Sequence, residues 1–531
     1  MKNLLLLFVF FLIANFTFSQ NELNPSDWKM TQAKLLYEDN KFQDALNTYL
    51  ELYKDYSTDA FLNYRISLCY FEVGNYDKSA EYCKIALDNC NLVNLEQDII
   101  YLKTCISHKQ EDFSAAREYL DMILTSSTVV DSIQMQLLWK QINLAEKFYK
   151  APIDCDLAAI DIESEVNSEF NEIFPVCSRR ENKLYFTSDR QIADNQERNA
   201  ITNNFLFSIF ESKISSANKL EIPVLVDETF ASGKNYTLGS VSSADRLYFL
   251  FKEIPEEKDG GDLYIDSLDT DEDFTDPAKI DSELNTKFLE YSPSYDFINT
   301  RLYFVSNHKD LNKTKSSIFV SELFKNYFPE PDMIKKISYD TDQSFVYVHP
   351  GGDFMVFAMN GENSMGGYDL FICYNNNDKW SEPVNMGYPI NTSSDEMQFS
   401  LASNGKTAYI SSNRPGGFGG FDIYAFDFTS VLNQSAGYNL EIVVFYGQIT
   451  DEVGEGIETE MILTDVTNSK TEYKIPSDIN GYYSFGVKAG SKYNLVIKNK
   501  AYEEYSEEID VLQSQDGNSI EKDIELLLKK E

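Results

Sequence analysis

Histidine and positive charge are scarce in this chain, and each shortage closes off a class of function. Only three His and three Trp stand among 531 residues. Imidazole is the commonest general acid–base group and a frequent zinc ligand, so little material is left for either chemistry. Seven Cys, an odd number, are scattered without ligand or framework spacing. Lys and Arg total 46 against 85 Asp and Glu, a formal charge of −39. A surface that acidic repels nucleic acid and anionic lipid. After the first twenty residues no apolar run reaches the ~20 positions needed to cross a bilayer. What is there, 43% hydrophobic and 25% charged, is the composition of a globular protein. At about 100–200 residues per domain the length suggests three or four domains. The balance favours a scaffold or binding protein over an enzyme.

Residues 1–19 read as a secretory signal. Lys2 supplies the positive start, Leu4 to Ala14 the apolar core, and Thr17-Phe18-Ser19 a small-x-small approach to cleavage before Gln20. No Cys follows the apolar run, so a lipid anchor is not indicated. Cys69, Cys83, Cys90 and Cys105 lie inside helical patterns, where Cys packs as a small hydrophobe. Mostly free, buried thiols are expected, with a Cys83–Cys90 or Cys155–Cys177 bridge left open.

Residues 20–150 have helical periodicity and an internal repeat. Asn40-Lys41-Phe42-Gln43-Asp44-Ala45 recurs as Asn75-Tyr76-Asp77-Lys78-Ser79 and as Asp112-Phe113-Ser114-Ala115-Ala116. The aromatics Phe42, Tyr76 and Phe113 are 34 and 37 apart, and a small residue (Ala45, Ser79, Ala116) follows each by three. A helix-turn-helix period near 34 with small residues where helices cross resembles the tetratricopeptide repeat, and residues 129–149 add a capping helix. The resemblance implies an α-solenoid. It also implies that Tyr37, Tyr64, Phe71, Tyr101 and His108 lie on or near its concave face, as a groove for a partner segment.

From residue 151 to 432 the pattern is short aromatic-rich strands between Gly, Asn and Asp turns. Leu184-Tyr185-Phe186 is echoed by Leu247-Tyr248-Phe249, Leu302-Tyr303-Phe304, Met355-Val356-Phe357 and Ala408-Tyr409-Ile410. The steps between them are 63, 55, 53 and 53. A second strand follows with an acidic-aromatic signature, as in Asp262-Leu263-Tyr264, Asp369-Leu370-Phe371 and Asp422-Ile423-Tyr424. Five such units predict a five-bladed β-propeller, since radial repetition protects sheet edges. The longer first step leaves room for an insertion or a sixth blade. Ser412-Asn413-Arg414-Pro415-Gly416-Gly417-Phe418-Gly419-Gly420-Phe421-Asp422 and Asn363-Ser364-Met365-Gly366-Gly367-Tyr368-Asp369 resemble the WD40-like, TolB-type propeller repeat of bacterial envelope proteins.

Residues 440–531 carry alternating strands around Gly454-Glu455-Gly456, Asp478-Ile479-Asn480-Gly481-Tyr482 and Ala489-Gly490-Ser491, which fits a small β-sandwich. Their wording is similar to the carboxypeptidase-regulatory-like domain, a non-catalytic module. Asn433-Gln434-Ser435-Ala436-Gly437 is the expected linker. Signal, tetratricopeptide repeats, TolB-like propeller and this sandwich, in that order, resemble the PorE-like envelope proteins associated with the type IX secretion system and gliding. That family adds an OmpA-like peptidoglycan-binding domain, whereas this chain stops at Lys529-Lys530-Glu531, so wall anchoring is not carried over. The resemblance implies a periplasmic, outer-membrane-associated protein whose partners are envelope proteins.

Bland readings account for the remaining motifs. The glycines at 416–420 precede a strand, not the helix a phosphate cradle needs, so they serve a turn. Asp369 and Asp422 are then expected to accept from turn backbone or from Arg414. Asp266, Asp269, Asp271, Glu272, Asp273 and Asp276 lack the Gly and Glu of an EF-hand, which leaves a solvated acidic loop. His108, His308 and His349 show no ligand spacing. The expectation is a non-enzymatic adaptor with no catalytic residue, cofactor or metal, and no nucleic-acid partner or membrane span. The rival is a glycan or small-ligand sensor using the propeller funnel, and a propeller-based hydrolase or lyase stands third.

Overall fold

The computed structural model describes residues 25–125, 132–160, 164–178, 183–192, 205–215, 219–227, 230, 235–241, 247–254, 260–268, 274–280, 282–296, 300–307, 315–324, 327–337, 341–349, 352, 354–375, 379–402, 405–428, 431, 442–467, 472–477, 481–488, 490–511 and 519–529. The signal segment, the linker at 433–437, His308 and the acidic positions 269–273 lie outside them.

Helices come first: α1 (Pro25–Glu38), α2 (Phe42–Tyr53), α3 (Ala60–Glu72), α4 (Tyr76–Asp88), α5 (Val93–Lys109), α6 (Phe113–Thr125) and α7 (Ser132–Lys150). Their sequence period has a local cause. The turns inside the first three pairs each need one left-handed residue, Asn40 (φ 63°), Gly74 (φ 77°) and Glu111 (φ 63°), spaced as the aromatics are. Asp59 and Asn75 cap α3 and α4 by accepting from Leu62 N and Lys78 N. Ala45, Ser79 and Ala116 are fully buried where the paired helices cross. Between α3 and α4 the approach is close enough that the Ser67 hydroxyl donates to the Ser79 carbonyl and Ser79 donates to that of Ser67, at 2.7 and 2.8 Å.

Five four-stranded antiparallel sheets follow. Sheet 1 runs Glu172–Cys177, Lys183–Ser188, Ser208–Lys213, Val224–Leu225. Sheet 2 runs Tyr236–Val241, Leu247–Ile254, Gly260–Ser267, Ala278–Lys279, and sheet 3 Glu290–Asp296, Arg301–Ser306, Ser317–Glu322, Asp332–Met333. Sheet 4 runs Asp342–Val348, Phe354–Asn360, Asp369–Tyr374, Val384–Asn385. Sheet 5 takes Glu396–Leu401, Thr407–Ser412 and Asp422–Asp427 and borrows its outer strand, Ala158–Ala159, from the start of the region. The repeated Leu-Tyr-Phe runs are the second strands. The first strands touch in a closed cycle, each against the next and the fifth against the first. Because neighbours flank them on both sides, the first strands of sheets 1, 3 and 5 are buried along their whole length. The extra sequence in the long first step falls between Ser188 and Ser208, and the described residues hold no sixth sheet in the ring.

Side-chain amides join four of the five sheets to the one before. Asn167 pairs with both the N–H and the carbonyl of Ile423, Asn285 with those of Leu263, and Asn391 with those of Leu370. Gln343 takes this role before sheet 4, accepting from Ile318 N and donating to the Ile337 carbonyl.

The last two sheets face each other. One centres on Ile442–Asp451, between Tyr482–Lys488 and the parallel strands Ser519–Glu521 and Ile524–Leu526. The other orders Glu472–Pro476, Glu460–Asp465, Lys492–Ile497 and Tyr505–Asp510. Their shared core, including Phe445, Met461, Phe485 and Leu495, is drawn wholly from this stretch. No disulfide joins the seven cysteines. No helix among the described residues is long and apolar enough to cross a membrane.

Candidate partner-docking site

The helical region is bolted to sheets 4 and 5 by α5 and α7. His108 and Lys109 end α5, and both reach turns of the ring. His108 Nε2 donates to the Met365 carbonyl at 2.8 Å, and Lys109 Nζ donates to the Ser393 carbonyl at 2.6 Å. Burial and the neighbouring ammonium of Lys109 push His108 down to about 3, so the ring stays neutral and donates from one nitrogen. Burial draws the Lys109 ammonium down, but Tyr76, Asp395 and Glu396 outweigh it and hold Lys109 above its usual range. From α7, Gln141 donates to Asn360 and Gly361, Lys140 meets Glu362 at 2.6 Å, and Tyr149 stacks on Tyr388 with centroids 3.9 Å apart. Gly387 leaves the room Phe148 needs: a Cβ there would stand 2.9 Å from the Phe148 ring. Met365 and Tyr388 thereby join the apolar core of α5–α7.

This junction changes the place of the residues expected to bind a partner. His108 is not available to another chain: it is 4% exposed and its ring is engaged by Met365. Tyr37, Tyr64 and Phe71 are half-buried in one cluster with Leu68 and Ile99, and Tyr101 packs with Ile100 and Phe113 in the next. The Tyr37 hydroxyl donates to Glu72 at 3.1 Å, and the Arg65 guanidinium lies 4.5 Å from the centre of its ring. Burial raises the Tyr37 and Tyr64 hydroxyls well above the usual phenol range, so both stay protonated. These aromatics hold neighbouring repeats together, which uses most of the surface a ligand would touch. Exposed apolar side chains are spread over the chain, from Ile133 and Phe324 to Val453, and on the outer repeats they include Trp28 and Leu35, seven apart on α1, and Phe61 on α3. A polar cleft of about 750 Å³ lies where the turns Val73–Asp77 and Lys109–Glu111 face Pro415 of sheet 5.

The ring itself carries a polar constellation that the repeat reading missed. Asn-Ser/Thr-x-x-x-Glu occurs at Asn167–Glu172, Asn285–Glu290 and Asn391–Glu396. Each Glu is buried and accepts from the N–H and hydroxyl of the motif Ser or Thr: Ser168, Thr286 and Thr392. Each also accepts from a serine ending the second strand: Ser188, Ser306 and Ser412. The signal was present as three copies of one six-residue pattern, hidden by weak similarity between them. Arg414, expected near Asp422, goes to Glu396 at 3.1 Å instead, because the strand pairing puts Ser412 and Glu396 directly opposite. Asp422 accepts from Phe418 N and Gly419 N, and Asp369 from Met365 N, the turn-backbone alternative.

Aromatic side chains meet across the ring axis. Phe174 of sheet 1 packs on Phe345 of sheet 4, 6.1 Å between centroids, although these sheets are not neighbours in the ring. Phe251 of sheet 2 reaches the same ring at 5.3 Å. Gly239 lies so close to Pro293 that a Cβ would stand 2.5 Å from it. Among the described residues no group of three His, Cys, Asp or Glu is placed to hold a metal ion.

No protein-family model matches the chain, and no curated protein matches it. Among solved structures, a sialidase from Trypanosoma rangeli is similar at 9% identity over 65% of this chain and 76% of that chain, with a TM-score of 0.31. An α-L-arabinofuranosidase from Lactobacillus brevis is similar at 12% identity over 49% and 90%, with a TM-score of 0.34. A 3-chlorocatechol 1,2-dioxygenase from Rhodococcus opacus matches at 11% identity over 17% of this chain and 60% of its own, with a TM-score of 0.15. The chain thus spans less than two thirds of the dioxygenase, and likeness at this level says nothing of activity.

Proposed function

We propose that the chain is a non-enzymatic adaptor of the cell envelope. In this reading the paired helices are a tetratricopeptide-repeat solenoid, the ring a five-bladed β-propeller, and the last two sheets a carboxypeptidase-regulatory-like sandwich. The resemblance to PorE-like proteins then puts it in the periplasm at the outer membrane, with type IX secretion or gliding components as partners. The observation that carries the reading is the contact of Phe174 with Phe345 across the ring, which narrows the axis that a small-ligand sensor or propeller hydrolase would use as a funnel. Large exposed apolar side chains at the outer repeats favour protein contact instead. The junction through Lys109 and Tyr149 holds the helices and the ring in one unit, so a second partner contact on the ring would add to one on the outer repeats by effective concentration.

The experiment is crosslinking of the tagged, mature protein in its native envelope, followed by mass spectrometry of what co-purifies. Envelope components should be recovered by the wild type and reduced at least tenfold by Trp28→Ala with Phe61→Ala, which leave the melting midpoint in place. Recovery unchanged by those substitutions would move the contact off the outer repeats. A clean sample would reject the adaptor.

A further inference from the structure

Two of the three motif glutamates hold an arginine of their own chain, and the two sites match atom for atom. Arg190 donates Nε to Ser188 Oγ (3.1 Å), Nη1 to the Glu165 carbonyl (2.8 Å), and Nη2 to the Val166 carbonyl (2.5 Å) and Glu172 (3.0 Å). Arg414 donates Nε to Ser412 Oγ (3.0 Å), Nη1 to the Pro389 carbonyl (2.8 Å), and Nη2 to the Ile390 carbonyl (2.6 Å) and Glu396 (3.1 Å). An aromatic face backs each guanidinium, Phe210 at 5.0 Å in one and Tyr424 at 4.8 Å in the other. The two carbonyls always belong to the pair of residues before the motif asparagine.

Sheet 3 repeats the buried glutamate, its donors and the aromatic pair of this socket, and its sequence repeats the two residues that supply the carbonyls. Glu290 is 1% exposed and bonded by Thr286 and Ser306 as its counterparts are. Glu283 and Leu284 precede Asn285, where the accepting carbonyls stand in the other two. Phe304 and Phe319 stack at 6.0 Å in the register that Phe186 and Phe210 occupy at 5.7 Å. The arginine is what is missing. After Ser306-Asn307 the sequence has His308 where Ser188-Asp189 and Ser412-Asn413 are followed by Arg, and among the described residues no ion pair reaches Glu290. We propose that sheet 3 is a guanidinium socket filled in trans, by the arginine side chain of a ligand or partner segment. The planar fork of five donors suits one carboxylate, a hydroxyl and two adjacent carbonyls, whereas a lysine ammonium cannot span them. Burial supports the same reading, since it pushes the Glu290 carboxyl up to about 7. The charges around it are Asp262 of sheet 2, which raises it further and is itself paired with Lys279, and Glu283 and Lys287 on the same turn.

The site lies apart from the outer helices and does not rest on the adaptor reading. The probe is N-acetyl-arginine amide, titrated calorimetrically into the whole mature protein at pH 8 and followed by thermal shift. The arginine analogue should bind and raise the melting midpoint, the lysine analogue at least tenfold more weakly, and affinity should fall as pH drops to 6. Glu290→Gln should abolish binding by removing the charge. His308→Arg should abolish it by filling the socket from within, while raising the midpoint, which separates lost binding from lost fold. An acetyl-Gly-Arg-Gly amide binding tenfold tighter than the free analogue would identify a protein segment as the source, and equal affinities free arginine. No binding by the wild type, or binding that survives both substitutions, would overturn the proposal. Envelope partners retained by His308→Arg but lost with Trp28 and Phe61 would leave the adaptor standing without it.

Discussion

Sheets 1 and 5 bury a glutamate with an arginine on it, and sheet 3 buries the same glutamate with no arginine on it among the described residues. The hydroxyl and N–H donors are alike in all three, so the difference isolates what the cation contributes. Hydrogen bonds from Thr286 and Ser306 offset part of the cost of desolvating Glu290, yet its carboxyl is still pushed up to about 7. In sheet 5, Arg414 does more than neutralise Glu396: it also ties the carbonyls of Pro389 and Ile390, on the approach from sheet 4, to the second strand of sheet 5. The comparison teaches that this arginine is a brace between successive sheets as well as a counter-ion. Among the described residues sheet 3 shows no such brace at its own border with sheet 2.

Removing the brace where it exists should cost most. Arg414→Ala strands a fully buried Glu396 and two carbonyls, and breaking a buried pair from one side typically costs about 3–5 kcal/mol. Denaturant unfolding would show it, and Glu396→Gln with Arg414→Met should recover much of the loss. Sheet 3 supplies the reverse case. Glu290 has a folded value near 7 against an ordinary 4.5, so the proton binds more tightly in the folded state. Stability from this group is complete below about 4.5 and is lost as pH rises through about 7, on the order of 3 kcal/mol in all. Glu290→Gln should therefore match the wild type at pH 4.5 and exceed it at pH 8. Equal pH profiles for the two would contradict the account.

A smaller effect is expected at the junction with the helices. Lys109→Met removes a charge-assisted bond to the Ser393 carbonyl, about 1.5–3 kcal/mol by the usual scale of such bonds. Hydrogen exchange should rise in α5 and in the turn at 392–395 together; exchange rising in only one of them would mean the junction is not held there. Smallest of all, Trp28→Ala should change stability by less than about 0.5 kcal/mol, because the side chain is 58% exposed.

Much of the architecture was legible because it repeats. The left-handed residues Asn40, Gly74 and Glu111 and the buried Ala45, Ser79 and Ala116 keep the spacing seen in the sequence, since each pair of helices solves the same local problem. The aromatic second strands were equally plain. The Asn-x-x-x-x-Glu motif was readable in principle, but its copies at 167, 285 and 391 skip alternate sheets and break the regular step. What no periodicity announces is a meeting between parts of different kind. His108 lies 257 residues from Met365, and the docking that buries it also turns an expected ligand contact into an internal one.

The most direct test is the titration of Glu290 itself, by carboxyl carbon NMR on selectively labelled protein with Glu290→Gln to assign the resonance. The account predicts a midpoint near 7 in the wild type and a fall toward the ordinary carboxylate range in His308→Arg. A wild-type midpoint already in the ordinary range, unmoved by that arginine, would mean that sheet 3 has no empty socket.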